Sequence, residues 1–170
     1  RRQRQMCIRD SYGPETESPV MEVTAITMRE KPIYQTMLTG KPLTENNILK
    51  QIPLESSLYD HVSKVCPNVK AVHFTPGGGC QNHAVISIKQ TYPGEAKTVI
   101  FSAFSSNTYL KHVIVVDDDI DVFNPTEVEW AVAFRFQATE DLYVFPEVVG
   151  GVLDPSAPKI EGGVITAGLG

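Results

Sequence analysis

Between Lys111 and Asp141 the chain reads KHVIVVDDDIDVFNPTEVEWAVAFRFQATED, and its changes of pattern predict successive elements. Val113, Ile114, Val115 and Val116 are adjacent β-branched residues. Such an unbroken apolar run predicts a central strand covered on both faces, as in a parallel sheet. Asp117, Asp118 and Asp119 end it, because neighbouring carboxylates cannot be desolvated together. Asn124 predicts a helix cap, with Pro125 at the first helical position and Glu127 where a capping-box carboxylate belongs. Val128, Ala131 and Val132 line one face of that helix, and Trp130, Ala133 and Phe134 another, which predicts cover on two sides. Leu142 to Phe145 predicts the next strand, completing a right-handed parallel crossover.

Upstream, Val20 to Thr27 and Ile33 to Met37 are rich in β-branched residues and separated by the polar turn Arg29-Glu30-Lys31-Pro32. They predict an antiparallel pair. Residues 44–52 read as a linker with a short helix stopped by Pro53, and Glu55 to Val65 as a second helix with Leu54, Leu58, Val62 and Val65 at helical spacing. Val69 to Phe74 predicts a strand, Gly77-Gly78-Gly79 a turn, and Ala84 to Lys89 another strand. For Pro93 to Ser106 the strand propensity of Val99, Ile100 and Phe101 opposes the helical spacing of Ala96, Val99, Ile100 and Ala103; helix is the expectation. The fold class expected is α/β, an open, largely parallel sheet with flanking helices, preceded by the antiparallel strand pair.

Composition narrows the function classes. Apolar content of 42% is ordinary for a chain with a core. Of the net charge of −5, the first ten residues contribute +3 through four arginines against Asp10, which leaves −8 for the rest. An acidic body without a basic stripe argues against nucleic-acid binding. No run reaches transmembrane length. Cys7, Cys66 and Cys80 form no paired framework, which favours a reducing, cytoplasmic setting. Met6 to Ser11 resembles one reading frame of a transposon sequencing adapter, so residues 1–11 are expected to be non-native and are set aside from the fold.

Few residues point to chemistry by themselves. Asp117, Asp118, Asp119 and Asp121 could offer oxygens to a divalent cation, but at a strand end successive side chains point apart, and capping roles fit better. The Gly77–Gly79 loop could cradle phosphate, yet it lacks a phosphate-loop spacing and a helix to follow. His61, His73 and His83 have no partners at metal-ligand spacing, and no serine sits in a nucleophile-elbow context. No catalytic residue and no metal ligand is expected within this sequence.

The run KHVIVVDDDIDVFNPTEVEWAVAFR, with LDPSA at Leu153 to Ala157, YPGEAK at Tyr92 to Lys97 and PVMEVTAITMREKPIYQTMLTGKP at Pro19 to Pro42, resembles the carboxy-terminal part of the UbiD family of decarboxylases. The family's namesake acts on 3-octaprenyl-4-hydroxybenzoate in ubiquinone synthesis. The resemblance implies that residues 12–43 are the tail of a flavin-binding split β-barrel and 44–170 a carboxy-terminal α/β domain cut short at its end. It implies a non-oxidative, reversible decarboxylation of aromatic or α,β-unsaturated acids with prenylated FMN, Mn2+ and often K+; the prenylated ring takes up the substrate's π-system so that carbon dioxide can leave. Metal ligands and the catalytic arginine would lie earlier than this sequence. The donor glutamate is expected just upstream of Tyr12, at the position Cys7 occupies. Gly151, Val152 and Leu153 match a stretch that faces substrate in similar enzymes, and Asn46 holds a comparable place. Lys111 is offset from a lysine that reaches the flavin phosphate in some relatives, and that role is not carried over. The expected partners are the acid substrate and further copies of the chain; the alternative is an autonomous α/β assembly module without chemistry.

Overall fold

The computed structural model describes residues 2–4, 15–17, 19–38, 40–41, 43–146, 148, 150, 154 and 156. A short antiparallel pair, β1 (Arg2–Arg4) with β2 (Glu15–Glu17), comes first. The body is α1 (Glu45–Ser63), β3 (Val69–Phe74), β4 (His83–Ile88), α2 (Glu95–Ser106), β5 (His112–Asp117), α3 (Pro125–Arg135) and the single turn α4 (Ala138–Asp141). Its sheet has the order β3-β4-β5, with β3 antiparallel and β5 parallel to β4. The α/β class and the open sheet with flanking helices are as expected, but the sheet is mixed.

The period-two alternation of β4 sorts two cores. Ala84, Ile86 and Ile88 face α1 and α2, packing with Leu58, Val62, Phe74, Val99 and Ala103. Val85 faces the other way, onto Ile120, Val122 and the α3 residues Val128 and Ala131. The sheet is thus sandwiched between two helices on one side and one on the other. β4, buried along Ala84–Ile88, is the central strand. β5 is an edge strand among the described residues and only half-buried. Its β-branched run reflects cover on both faces, since Val113 and Val115 join the first core and Ile114 and Val116 the second. Two-faced cover, rather than a central place, is what such a pattern reports.

Local chemistry explains the joints. Asn124 accepts the Thr126 N–H at 3.1 Å and Pro125 opens α3, as the sequence predicts. Glu127 reaches past the cap, accepting from Asn124 Nδ2 and from the Asp121 N–H. Between β3 and β4, Gly78 lies so close to His83 that a Cβ would stand 2.5 Å from the histidine's own, and Gly79 adopts a φ of +67°. The glycine run is therefore the tight turn expected. At the start of α2, Glu95 is buried and its carboxylate accepts the Thr91 N–H at 2.6 Å, which holds the carboxyl below its usual range.

Four expectations are corrected. Val20–Thr27 and Ile33–Met37 form no strands; Val20, Met21, Val23, Ile26, Met28, Ile33 and Tyr34 are 61–90% exposed. A two-stranded ribbon with nothing packed on it is marginal, and no described element covers this stretch. Pro53 does not stop a helix: α1 runs through it. An interior proline costs roughly 3 kcal/mol, and here it lies on the exposed face of a helix anchored by the buried Leu58 and Val62. Leu142–Phe145 is not a strand. The Phe145 ring instead packs between Phe101 and Phe104 at 5.1 and 5.5 Å, and Lys97 lies over Tyr143, so this segment straps α2. Finally, α3 is covered on one side only; Trp130, Val132 and Phe134 remain exposed. No helix among the described residues is long and apolar enough to cross a membrane.

Candidate functional site

The acidic run occupies the turn after β5. The Asp117 carbonyl accepts from the Ile120 N–H and from Ser87 Oγ. Asp119 holds Arg135 through two hydrogen bonds of 2.8 and 2.6 Å. Those bonds keep its carboxyl below the usual carboxylate range. Asp121 Oδ1 accepts the Phe123 N–H at 2.9 Å. Three of the carboxylate-bearing residues therefore close turns or join α3 to the sheet.

Other residues converge at the opposite end of the sheet, where β3 finishes and β4 and β5 begin. Asn46 lies half-buried in the first turn of α1. Its neighbour Asn47 makes the hydrogen bonds there: Oδ1 accepts from the Thr44 N–H and Oγ1, and Nδ2 donates to the Gly79 carbonyl at 3.1 Å. Three residues beyond Gly79, the Asn82 carbonyl accepts the Lys111 and His112 N–H groups at 2.8 and 2.9 Å. Lys111 Nζ in turn binds Asp154 Oδ2 at 2.8 Å and contacts Ser156 Oγ. Asp154 Oδ1 accepts the Ser156 N–H at 2.9 Å. Partial burial works to raise the Asp154 pKa, but the Lys111 and Ser156 donors outweigh it and hold the carboxyl below its usual range.

Of the residues expected to face substrate, Gly151, Val152 and Leu153 lie outside the described residues. Asp154, which follows Leu153, is held at the amino end of β5. Among the described residues no strand runs up to Asp154, and its anchor is Lys111. Asn46 and Asp154, distant in sequence, are brought to the same end of the sheet through Gly79, Asn82 and Lys111.

Sequence reasoning missed a second network. Glu55 Oε1 accepts the Phe74 N–H at 2.8 Å and lies 2.9 Å from His73 Nδ1, while Gln51 Nε2 donates to the Phe74 carbonyl at 2.9 Å. Two α1 side chains one turn apart thus satisfy the outward backbone groups of an edge strand. The only sequence signal was their i, i+4 spacing on the flank of α1's apolar stripe. His83 and His112 are register partners with rings 6.0 Å apart. Burial, then the neighbouring His112, push the His83 pKa down, and its buried Nε2 has no hydrogen-bond partner among the described residues. Cys66 and Cys80 are buried free thiols whose pKa values burial raises.

Among the described residues no three His, Cys, Asp or Glu side chains converge as metal ligands. Lys111 is committed to Asp154. The described residues therefore do not by themselves form a ligand set for manganese.

Residues 47–168 match the family model for the 3-octaprenyl-4-hydroxybenzoate carboxy-lyase C-terminal domain, and residues 8–42 match that for the Rift-related domain of the same enzymes. The structure is similar to the UbiD-class enzyme HmfF from Pelotomaculum thermopropionicum in complex with FMN, with a TM-score of 0.83 and 43% identity over 97% of this chain and 37% of that one. It is also similar to the vanillic acid decarboxylase of Sedimentibacter hydroxybenzoicus in open form, with a TM-score of 0.70 and 33% identity over 81% of this chain and 29% of the other. The anhydromevalonate phosphate decarboxylase of Aeropyrum pernix is 40% identical over 86% of this chain and 33% of its own length. The chain thus spans about a third of the curated relatives it matches. With its C-terminal-domain match covering most of the sequence, the chain belongs to the UbiD family of carboxy-lyases.

Proposed function

We propose that this chain is the carboxy-terminal part of a UbiD-class carboxy-lyase that decarboxylates an unsaturated or aromatic acid without net oxidation, using prenylated FMN and Mn2+, with K+ as a further ion. Residues 12–43 belong to its flavin-binding barrel, and residues 44–170 contribute one wall of the substrate cleft and subunit contacts in a cytoplasmic homo-oligomer. Gly151, Val152, Leu153 and Asn46 are its proposed substrate-facing residues. The observation that carries this reading is the convergence of the α1 start, the glycine turn and Asp154 at one end of the sheet, in a chain so similar to an FMN-bound relative.

The substrate class is kept as wide as the resemblance implies, aromatic or α,β-unsaturated acids. One relative is named for vanillic acid and another for anhydromevalonate phosphate. A dehydrated mevalonate carries a double bond but no aromatic ring, so what the two acids share is a carboxylate on an unsaturated frame. An apolar wall suits both, since it discriminates by shape rather than by paired hydrogen bonds.

The test is the longer gene product, supplied with prenylated FMN and manganese, assayed for carbon dioxide release from anhydromevalonate phosphate, vanillate and a saturated acid of similar size. Release from one or both unsaturated acids, dependent on the prenylated flavin and absent with the saturated acid, is the expected result. No flavin-dependent release from either unsaturated acid would overturn the reading.

A further inference from the structure

We infer that His83 and His112, side by side on β4 and β5, form a two-histidine site for a borderline transition-metal ion such as zinc, which joins the amino ends of the two strands. The site is independent of the decarboxylase chemistry proposed above.

The two residues are register partners in the parallel pairing of β4 with β5, so their side chains leave the sheet on the same face. That is the α3 face, because Val85, two residues after His83, packs there. The ring centres stand 6.0 Å apart at an interplanar angle of 79°. An imidazole nitrogen binds zinc at about 2.0–2.1 Å, which sets the centres of two rings sharing one ion roughly 5–6.4 Å apart. The pair is therefore at chelating separation already. His83 is held on both sides: its carbonyl accepts the Thr75 N–H at 3.0 Å, and Gly78 lies against its Cβ. The His112 N–H is fixed on the Asn82 carbonyl at 2.9 Å, while its exposed ring can turn toward an ion. His83 Nε2 is buried and has no hydrogen-bond partner among the described residues. Buried polar atoms are nearly always satisfied, and the lone pair of a neutral imidazole is satisfied by a metal ion as well as by a donor. His73 shares this face as the register partner of Val85. Its Nδ1, however, lies 2.9 Å from Glu55, and its ring packs on Phe123 at 5.0 Å, so it is committed elsewhere. That leaves two protein ligands, with the remaining positions for water. Imidazole donors suit zinc, copper and nickel, whereas magnesium and manganese favour oxygen.

Zinc titration of the 170-residue chain, followed by calorimetry and by the histidine ring signals in NMR, tests the site. One ion per chain should bind with a Kd on the order of 10–100 µM, since two ligands supply roughly half the binding free energy of a four-ligand zinc site. The ring signals of His83 and His112 should move on zinc addition while those of His61 stay, and manganese at the same concentration should move none of them. His112→Asn, at an exposed position, should weaken zinc binding by about tenfold or more, whereas His61→Asn should leave it unchanged. His83→Asn should weaken binding likewise, and the His112 variant decides the matter even if the His83 variant fails to fold. No zinc binding tighter than millimolar in the wild-type chain, full affinity in His112→Asn, or zinc-induced shifts confined to other histidines would each overturn the site.

Discussion

The two ends of β5 use charge in opposite ways. At its carboxyl end, Asp117 to Asp121 place adjacent carboxylates in one turn, and the ion pair formed there, Asp119 with Arg135, has side chains 55% and 41% exposed. Every bond it makes ties α3 to the turn that precedes it. At its amino end a single lysine, more buried, reaches a carboxylate 43 positions away and brings a distant segment onto the sheet. Density of charge in sequence and convergence in space are therefore different signals. Adjacent carboxylates repel and stay in water, so a run of them more readily caps helices and closes turns. An isolated, half-buried pair exists only where two parts of the chain have been brought together.

The contrast can be broken from the middle. Both ends depend on β4, which carries the central pairing, and Ile86 is fully buried within it. Ile86→Ala should destabilise the domain by about 2–5 kcal/mol, read by urea unfolding, and should loosen both ends together. A loss well below that range would mean that β4 is not the organising strand.

The next effect concerns the proposed substrate wall. Leu153→Ala in the longer enzyme should broaden acceptance of bulkier acids, by roughly 1–3 kcal/mol for each methylene-sized change in fit, and leave flavin binding intact. If Leu153 is instead a core residue, the melting temperature should fall sharply while the substrate ranking stays fixed. Those two outcomes are mutually exclusive.

Acid and salt should separate the two ion pairs by smaller margins. The Asp119 and Asp154 carboxyls both titrate below their ordinary range in the folded chain. The unfolded chain then binds their protons more readily, so each contributes its stabilisation in full above an unfolded pKa of about 3.9. That contribution fades as pH falls through the lower folded value. Carboxyl NMR titration should show both pairs intact from neutral pH down to about 5. In 1 M salt, where screening acts over about 3 Å, the Asp119 value should move back toward normal further than that of Asp154. The reverse order would contradict the burial difference between the ends. The smallest expected effect is a null one: calorimetric titration with manganese should reveal no site tighter than millimolar at Asp117–Asp121. Micromolar binding abolished by Asp119→Asn would overturn the turn-closing role.

Much of the body was legible from pattern. The β3 and β4 strands, the glycine turn, α2 and the Asn124-Pro125 start of α3 are each dictated by residues within a few positions of one another. The errors share a cause. Leu142–Phe145 has strand-forming residues, but their best partners are Phe101 and Phe104 on a helix, and propensity carries no information about such partners. Pro53 breaks isolated helices; the burial of Leu58 and Val62 beyond it keeps α1 continuous. Trp130 and Phe134 mark a second apolar face on α3, yet no described element covers it.

The candidate site shows the same division. Asn46 and the Gly151–Leu153 stretch were selectable only by resemblance, because neither carries a chemical signature in its own neighbourhood. Lys111 and Asp154 are ordinary residues in sequence, and Glu55 with His73 looks like chance spacing. What the sequence by itself determined was local: capping, turn chemistry, period-two strands and an acidic body that argues against nucleic acid. What only the tertiary structure decided was strand order, which end of the sheet gathers distant segments, and which charges pair. The physical reason is range. Backbone sterics and local hydrogen bonds act over a few residues, whereas Lys111 meets its partner Asp154, 43 positions away, only in the folded chain.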